Sequence, residues 1–422
     1  MKNEFHPAQE FQMPEGGRLF VAPTHIHDVV VVKGSVLGGR NMLPKTLDIV
    51  PALTADLLDA GTAKRKKHVI RDALAGKGIS LSFSSSGDRT EFSGQCFPED
   101  LPLLLSTITE CLGGAIFPEA EVKNAKALAL GNLAEAKSNT RALAGYALSA
   151  LLYDTDHVNY ARPIEAQEKS VATVRRAHLQ DFRKKLGKGG LILAIVGDTT
   201  VTAARSAAEK AFGKLAVGTT TAPVKQSNKK IQKENERLIP IADKANIDVL
   251  LGVGLPLTTQ HQLYHPMLVL VDMLGGGVTS HLMQTIRERD GLTYGVYASL
   301  GGLDAGADGH FKIWATFSPD AYKKSVEQLR DEIDVFFSKG LTEEALIKRK
   351  EEMTGSYLVA LSTTQNLAHS LHTIGANGFE LSYLTEYPNI IRAVSLSDII
   401  NAAELIPRDK LSLAASGTFK KK

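Results

Sequence analysis

Two cysteines in 422 residues, Cys96 and Cys111, are too few for a disulfide framework or a thiolate zinc cluster. Cys111 stands beside Leu112 in an apolar helical stretch and reads as a small buried hydrophobe. No run of 18 apolar residues occurs, which argues against a membrane-spanning helix. An excess of one charge is also missing: 49 basic residues face 46 acidic ones, a net +3. A nucleic-acid binder concentrates positive charge on one face. Here the basic runs are short, Lys64-Arg65-Lys66-Lys67 and the three lysines 420–422, and they read as solvated faces or tail. The first six residues lack the apolar core of a signal peptide. The expected location is periplasmic if such a segment has been removed, and cytoplasmic otherwise.

What the chain does have is apolar residues at 43%, ordinary for a protein with real cores, and length for two or more domains. It also has an internal repeat. Residues 55–81 line up with 271–297 at a constant offset: Ala55-Asp56-Leu57-Leu58 with Val271-Asp272-Met273-Leu274, and Ile70-Arg71-Asp72 with Ile286-Arg287-Glu288. Farther on, Phe97-Pro98-Glu99-Asp100 matches Phe317-Ser318-Pro319-Asp320, and both lead into helical patterns over 101–112 and 321–337. Each half closes on a short apolar strand with glycine, 191–197 and 411–417.

Each half therefore predicts the same order of elements. A β run comes first (29–32 with Gly34, and 247–253), then a buried helix (48–60 and 263–274). A second helix, two strands, more helices and the closing strand follow. This is an α+β layout, two homologous domains that each pack helices on one face of a mostly antiparallel sheet. The domains expected are 1–217 and 237–422, joined by an exposed linker at 218–236 that is rich in Thr, Lys, Gln and Asn.

One stretch of the second half stands out. Gly275-Gly276-Gly277 breaks the preceding helix, and Thr279 or Ser280 can cap a new one whose apolar face is Leu282, Thr285 and Ile286. Arg287 falls in its last turn, Gly291 makes a sharp turn, and Tyr294 is expected to start a strand. On spacing alone, an Arg in a last turn complements the helix dipole, and a Tyr at a strand start is ordinary.

Taken together, Gly-Gly-Gly-x-x-Ser, Ile-Arg-Glu-x-x-Gly-Leu-x-Tyr, Thr342-Glu343-Glu344-Ala345-Leu346 and Tyr383-Leu384-Thr385-Glu386-Tyr387-Pro388 resemble the insulinase/pitrilysin family of zinc peptidases, the inverted zincins. The resemblance covers nearly the whole chain and is closer in the second half. It implies His-x-x-Glu-His on the buried helix of the first half and a further Glu roughly 75 residues on, as zinc ligands and general base. The aligned residues here are Ala52-Leu53-Thr54-Ala55-Asp56, and the distant position falls near Gly131-Asn132, with Glu135 three residues later. All four functional positions are absent. His261 and His265 have a metal-ligand spacing but no intervening Glu, and they read as surface histidines at a helix start. His369 and His372, and His25 and His27, read as packed or solvated.

The resemblance also implies an Arg/Tyr pair, seven residues apart, that the family's C-terminal half brings to the catalytic centre. Arg287 and Tyr294 match it. The chain thus resembles the non-zinc subunit of a heterodimeric metallo-endopeptidase. It is expected to hold no metal of its own. A zinc-bearing homologous subunit would supply Zn²⁺ and the general base, with peptides or unfolded segments as substrate. A catalytically silent structural or peptide-binding homologue is the alternative.

Overall fold

The computed structural model describes residues 8–221, 234–303 and 307–420. The first half supplies β1 (Gln9–Met13), β2 (Gly17–Pro23), β3 (Val30–Leu37), β4 (Ser80–Ser86), β5 (Arg89–Cys96) and β6 (Ile192–Gly197). Its helices are α1 (Val50–Asp56), α2 (Lys67–Ala75), α3 (Leu101–Gly114), α4 (Glu119–Ala136), α5 (Thr140–Leu152), α6 (Ile164–Thr173), α7 (Arg176–Arg183) and α8 (Val201–Phe212). The second half adds β7 (Glu236–Pro240), β8 (Ile247–Gly254), β9 (Val296–Gly301), β10 (His310–Phe317) and β11 (Ser412–Gly417). With them come α9 (Tyr264–Gly275), α10 (Tyr322–Val335), α11 (Glu343–Ala360), α12 (Thr364–Ala376), α13 (Tyr383–Ala393) and α14 (Leu396–Ala403).

Two sheets result, one from each half. Their orders are β1-β2-β6-β3-β5-β4 and β7-β11-β8-β10-β9. Apart from the extra edge strand β1 the two are the same: one parallel pair, β2 with β6 and β7 with β11, and otherwise antiparallel neighbours. The fold is α+β, as the repeat predicts. The short strands β1, β2 and β7 carry no periodic signal strong enough to be anticipated. Residues 222–233 of the expected linker lie outside the described residues, and Glu236 already belongs to β7.

The duplication reaches individual side chains. Lys126 on α4 donates to the carbonyls of Ala172 and Val174, and Lys350 on α11 donates to those of Arg392 and Val394. In both halves an ammonium caps the end of the second helix after its own, α6 and α13, where carbonyls lack intrahelical partners.

The described residues pack into two compact units, one drawn from 1–131, 167–224 and 357–386, the other from 132–166, 225–356 and 387–422. Each unit therefore takes a helical segment from the other half of the sequence. In the first unit α1, α3, α7 and α8 bury one sheet face around Val32, Phe92 and Ile195. Helix α12 covers the other, with Leu367, Leu371 and Ile374 on Phe20, Ile192 and Ala194. Gly375 lets α12 come close: a Cβ there would stand 2.7 Å from the Phe20 ring. In the second unit α9, α10 and α14 bury one face. Helix α5 lays Ala144, Ala147 and Leu148 on Leu250 and Ala414 of the other. Helices thus cover both faces of the central strands, where the repeat suggested one. That is why β6 and β11 are apolar or small at every position and buried throughout, without the alternation of a half-solvated strand.

Candidate functional site

In the second unit, Leu282, Met283 and Ile286 are buried and fasten one helix, Met283–Arg289, to the core. This helix is wound as a π-helix. The Asp290 N–H reaches back five residues to the Thr285 carbonyl at 3.0 Å, and the Leu292 N–H reaches the Ile286 carbonyl at 3.0 Å. Such widened turns recur at functional sites. Neither expected cap forms: the Ser280 hydroxyl donates to the Gly277 carbonyl, and Thr279 donates to Glu352. Gly291 ends the helix in the left-handed region, φ 62°, which glycine adopts without strain.

Arg287 sits on the last turn of this helix with its side chain 41% exposed, 3.5 Å from the Glu288 carboxylate. Tyr294 is not the first residue of β9, as the sequence suggested. It stands on the bend before that strand, which starts at Val296. Its side chain is 90% exposed, and among the described residues its hydroxyl has no hydrogen-bond partner. Both side chains flank one turn and point to solvent.

Side-chain hydrogen bonds fix that turn, and spacing did not single them out. Thr293 is buried; its hydroxyl accepts the Gly295 N–H at 3.1 Å and donates to the Thr316 carbonyl at 2.6 Å. Arg289 bonds Asp290 at 2.7 Å and the buried Glu332 of α10 at 2.7 Å. His281 contacts the other Glu332 oxygen at 3.0 Å, and Gln328 donates to Asp290. The Arg289 hydrogen bonds hold the Asp290 carboxyl below its ordinary range. Glutamate at 332 on the inward face of α10 was the available signal, since a buried carboxylate requires a partner. Beside the turn, Tyr297 stacks on Trp314 at 5.7 Å, Arg141 lies 4.0 Å over the same ring, and the indole N–H donates to Asp248 at 2.7 Å.

The first half was expected to lack a zinc site, and its donors do not fit one. On α1, Ala52 and Ala55 carry only methyl groups, which offer no lone pair, and the buried Thr54 hydroxyl has no histidine beside it to complete a zinc site. Asp56 is exposed at the helix end. Gly131, Asn132 and Glu135 lie exposed on α4. Among the described residues no group of three or more His, Cys, Asp or Glu side chains is placed to hold a metal ion.

The histidines serve packing or face solvent. His261 precedes α9, and its Nδ1 accepts the Leu263 N–H at 3.1 Å, while His265 lies inside the helix against Tyr264 and Tyr387. The helical i, i+4 geometry is therefore not formed. His369 is exposed on α12, whereas His372 is buried with Nε2 2.7 Å from the Ser35 hydroxyl. His25 and His27 are exposed. Cys96 and Cys111 are both free and buried, and burial pushes each thiol up to about 12. Among the described residues no helix is long and apolar enough to cross a membrane.

The arrangement can present one fork of cationic donors and one hydroxyl to a ligand from outside the fold. Comparison with known proteins agrees with the duplicated fold. Residues 173–353 match the model described as "Peptidase M16 inactive domain". An uncharacterized zinc protease of Rickettsia felis is 25% identical over 357 residues, 82% of each chain. A non-peptidase homolog from Helicobacter pylori is 23% identical over 372 residues, 86% of this chain and 82% of that one. The crystal structure of a peptidase M16 inactive domain from Pseudomonas fluorescens superposes with a TM-score of 0.88 at 21% identity, covering 99% of this chain and 100% of the other. The chain is thus similar to peptidase M16 proteins, and residues 173–353 match the model of that family's inactive domain.

Proposed function

We propose that this chain is the non-zinc subunit of a heterodimeric metallo-endopeptidase, in which Arg287 and Tyr294 hold the peptide backbone beside the scissile bond. The supporting observation is that the fold does not use Tyr294. A tyrosine 90% exposed stabilises little by burial, and its hydroxyl bonds nothing among the described residues. Among the described residues Arg287 likewise pairs only with its sequence neighbour Glu288. Both groups are therefore available to a ligand, on a turn that Thr293 and Arg289 hold in place.

The chemistry assigned to this chain is carbonyl recognition. When a peptide carbonyl is attacked, its oxygen gathers negative charge. A guanidinium fork and a phenol O–H aimed at that oxygen, or at the adjoining carbonyl, bind the developing charge better than the resting amide. The metal and general base belong to the partner, a homologue with its zinc ligands intact. The inactive-domain match supports the division of labour.

The test is an assay of this chain alone, of a zinc-bearing homologue alone, and of the mixture, with an unfolded casein substrate and metal content measured for each. The mixture should form a one-to-one complex and cleave, while this chain alone should be inactive and zinc-free after dialysis. A mixture that stays monomeric at micromolar concentration and adds no activity refutes the split site. It would favour the catalytically silent reading, which the name of the Helicobacter pylori homologue also fits.

A further inference from the structure

Among the described residues, helix α8 has no counterpart beside α10. In the first unit α8 lies along α3 with Ala204, Ala208 and Phe212 buried, and Phe212 stacks 5.9 Å from Phe92. Past the helix, Leu215 lies against Gly113 at the far end of α3. The chain beyond it then pairs with the loop that follows α7, through bonds from the N–H groups of Lys188 and Gly189 to the carbonyls of Ala216 and Val217.

In the second unit α10 stands for α3, since both follow the repeated Phe-x-x-Asp segment, and the loop 404–410 after α14 stands for the loop after α7. There, Phe419 meets Tyr322 edge-on at 5.2 Å, near the start of α10. Toward the other end of that helix an open groove of about 900 Å³ remains. Ile333, Phe337 and Leu341 form its floor, Ile400 and Ala403 of α14 one wall, and Ile400 is 46% exposed. From Arg330 to Leu341 the strip is about three helical turns long, close to the length of α8.

The charges at the groove select among occupants. Four carboxylates line it, Glu234, Asp334, Glu404 and Asp409, against two guanidiniums, Arg330 and Arg408. Both guanidiniums are engaged: Arg330 pairs with Glu234, while Arg408 lies 3.7 Å from Asp334 and 5.2 Å over the Phe337 ring. Glu404 and Asp409 have no cationic partner among the described residues. In the first unit, the helix that fills the equivalent place carries Arg205 and Lys210 and is followed by Lys214.

We propose that this groove is a docking site for a basic amphipathic helix of a partner protein, with apolar side chains at i, i+4 and i+8 and lysines or arginines along its edges. The apolar stripe would cover Phe337, Leu341 and Ile400, and the flanking cations would meet Glu404 and Asp409.

The probe is a fluorescent synthetic peptide of residues 199–215, which carries the α8 stripe and its basic residues, titrated with the full chain and read by anisotropy. Saturable one-to-one binding in the micromolar range is expected, weakening as salt is raised. Ile400→Asp and the pair Glu404→Lys with Asp409→Lys should each weaken it by about tenfold or more. These positions are exposed, so the variants should melt with the wild type. A peptide with Phe212→Asp should not bind. Absence of saturable binding at millimolar chain, or equal binding to the Ile400→Asp variant, overturns the proposal. So does concentration-dependent self-association that Ile400→Asp abolishes, because the occupant would then be a second copy.

Discussion

The Thr293 hydroxyl donates to the Thr316 carbonyl at 2.6 Å and thereby ties the turn that carries Tyr294 to β10. The same oxygen accepts the Gly295 N–H, so one buried side chain closes the bend on both sides. Thr293→Val keeps the shape and removes the hydroxyl. One buried and one half-buried backbone group then lose that hydrogen bond, and stability should fall by about 1–3 kcal/mol. Thr293→Ser should recover most of it. Because Thr293 acts through Tyr294, Thr293→Val should also lower kcat/KM of the reconstituted complex, again with rescue by Ser. Denaturant unfolding midpoints and steady-state rates check the two halves of this expectation.

Arg287 and Tyr294 should behave in the opposite way, with function lost and the fold intact. Tyr294→Phe removes one hydroxyl from an exposed ring, and Arg287→Ala removes a half-exposed fork. Neither should move the melting temperature appreciably. Each should lower kcat/KM with a zinc-bearing partner by about 10²-fold, as loss of one oxyanion donor does. Lys323→Ala, on the solvent face of α10, is the control. Undiminished rates in both site variants would leave the pair as an exposed turn and nothing more.

Arg289 is a poor control for that experiment, although its position about 200° around an α-helix from Arg287 suggested one. The helix is a π-helix, and Arg289 reaches Glu332, which is buried on α10. Arg289→Ala leaves that carboxylate with His281 alone, so the melting temperature should drop. Glu332→Gln should reduce the drop, because a neutral amide needs no cation. An additive double variant in a mutant cycle would mean the two residues do not interact.

Much of the fold was legible because it is written twice. Order, sheet type and the buried helices follow from matching 55–81 to 271–297, and α1 and α9 lie where the apolar periods put them. The exchange of α5 and α12 between units was not legible. Nothing in the stripe of Ala144, Ala147 and Leu148 says which sheet it covers, since both sheets present the same small apolar face. At the site, Gly291 marked the turn, but the π-winding did not show in the apolar spacing, because Leu282, Thr285 and Ile286 suit an α-helix equally well. Thr293 and Glu332 became visible only with their partners, Thr316 and Arg289, which are distant in sequence.

Two packed histidines, His372 buried and His310 half-buried, set the acid side of the stability curve. His372 is pushed down to about 4, chiefly by burial and despite the nearby Glu91, and its ring meets the Ser35 hydroxyl at 2.7 Å. His310 is likewise pushed down to about 4 by burial, with Lys312 adding to the shift and Tyr153 hydrogen-bonded to its Nδ1 at 2.6 Å. In the unfolded chain each titrates near 6.5. Between about pH 6.5 and 4 the unfolded state therefore binds more protons than the folded one, and stability falls as pH falls. Above about pH 6.5 both rings are neutral in either state and their contribution is complete. Taking the fold from pH 7.5 to 5 should cost roughly 2 kcal/mol per histidine. Glutamine keeps a polar group for the local hydrogen bond and does not titrate. His372→Gln and His310→Gln should therefore each flatten the curve between pH 6.5 and 4, whatever they do to stability at pH 7.5. Thermal unfolding of wild type, both single variants and the double at four pH values decides the matter. An identical slope in wild type and the double variant would show that other groups, the carboxylates first among them, carry the acid sensitivity.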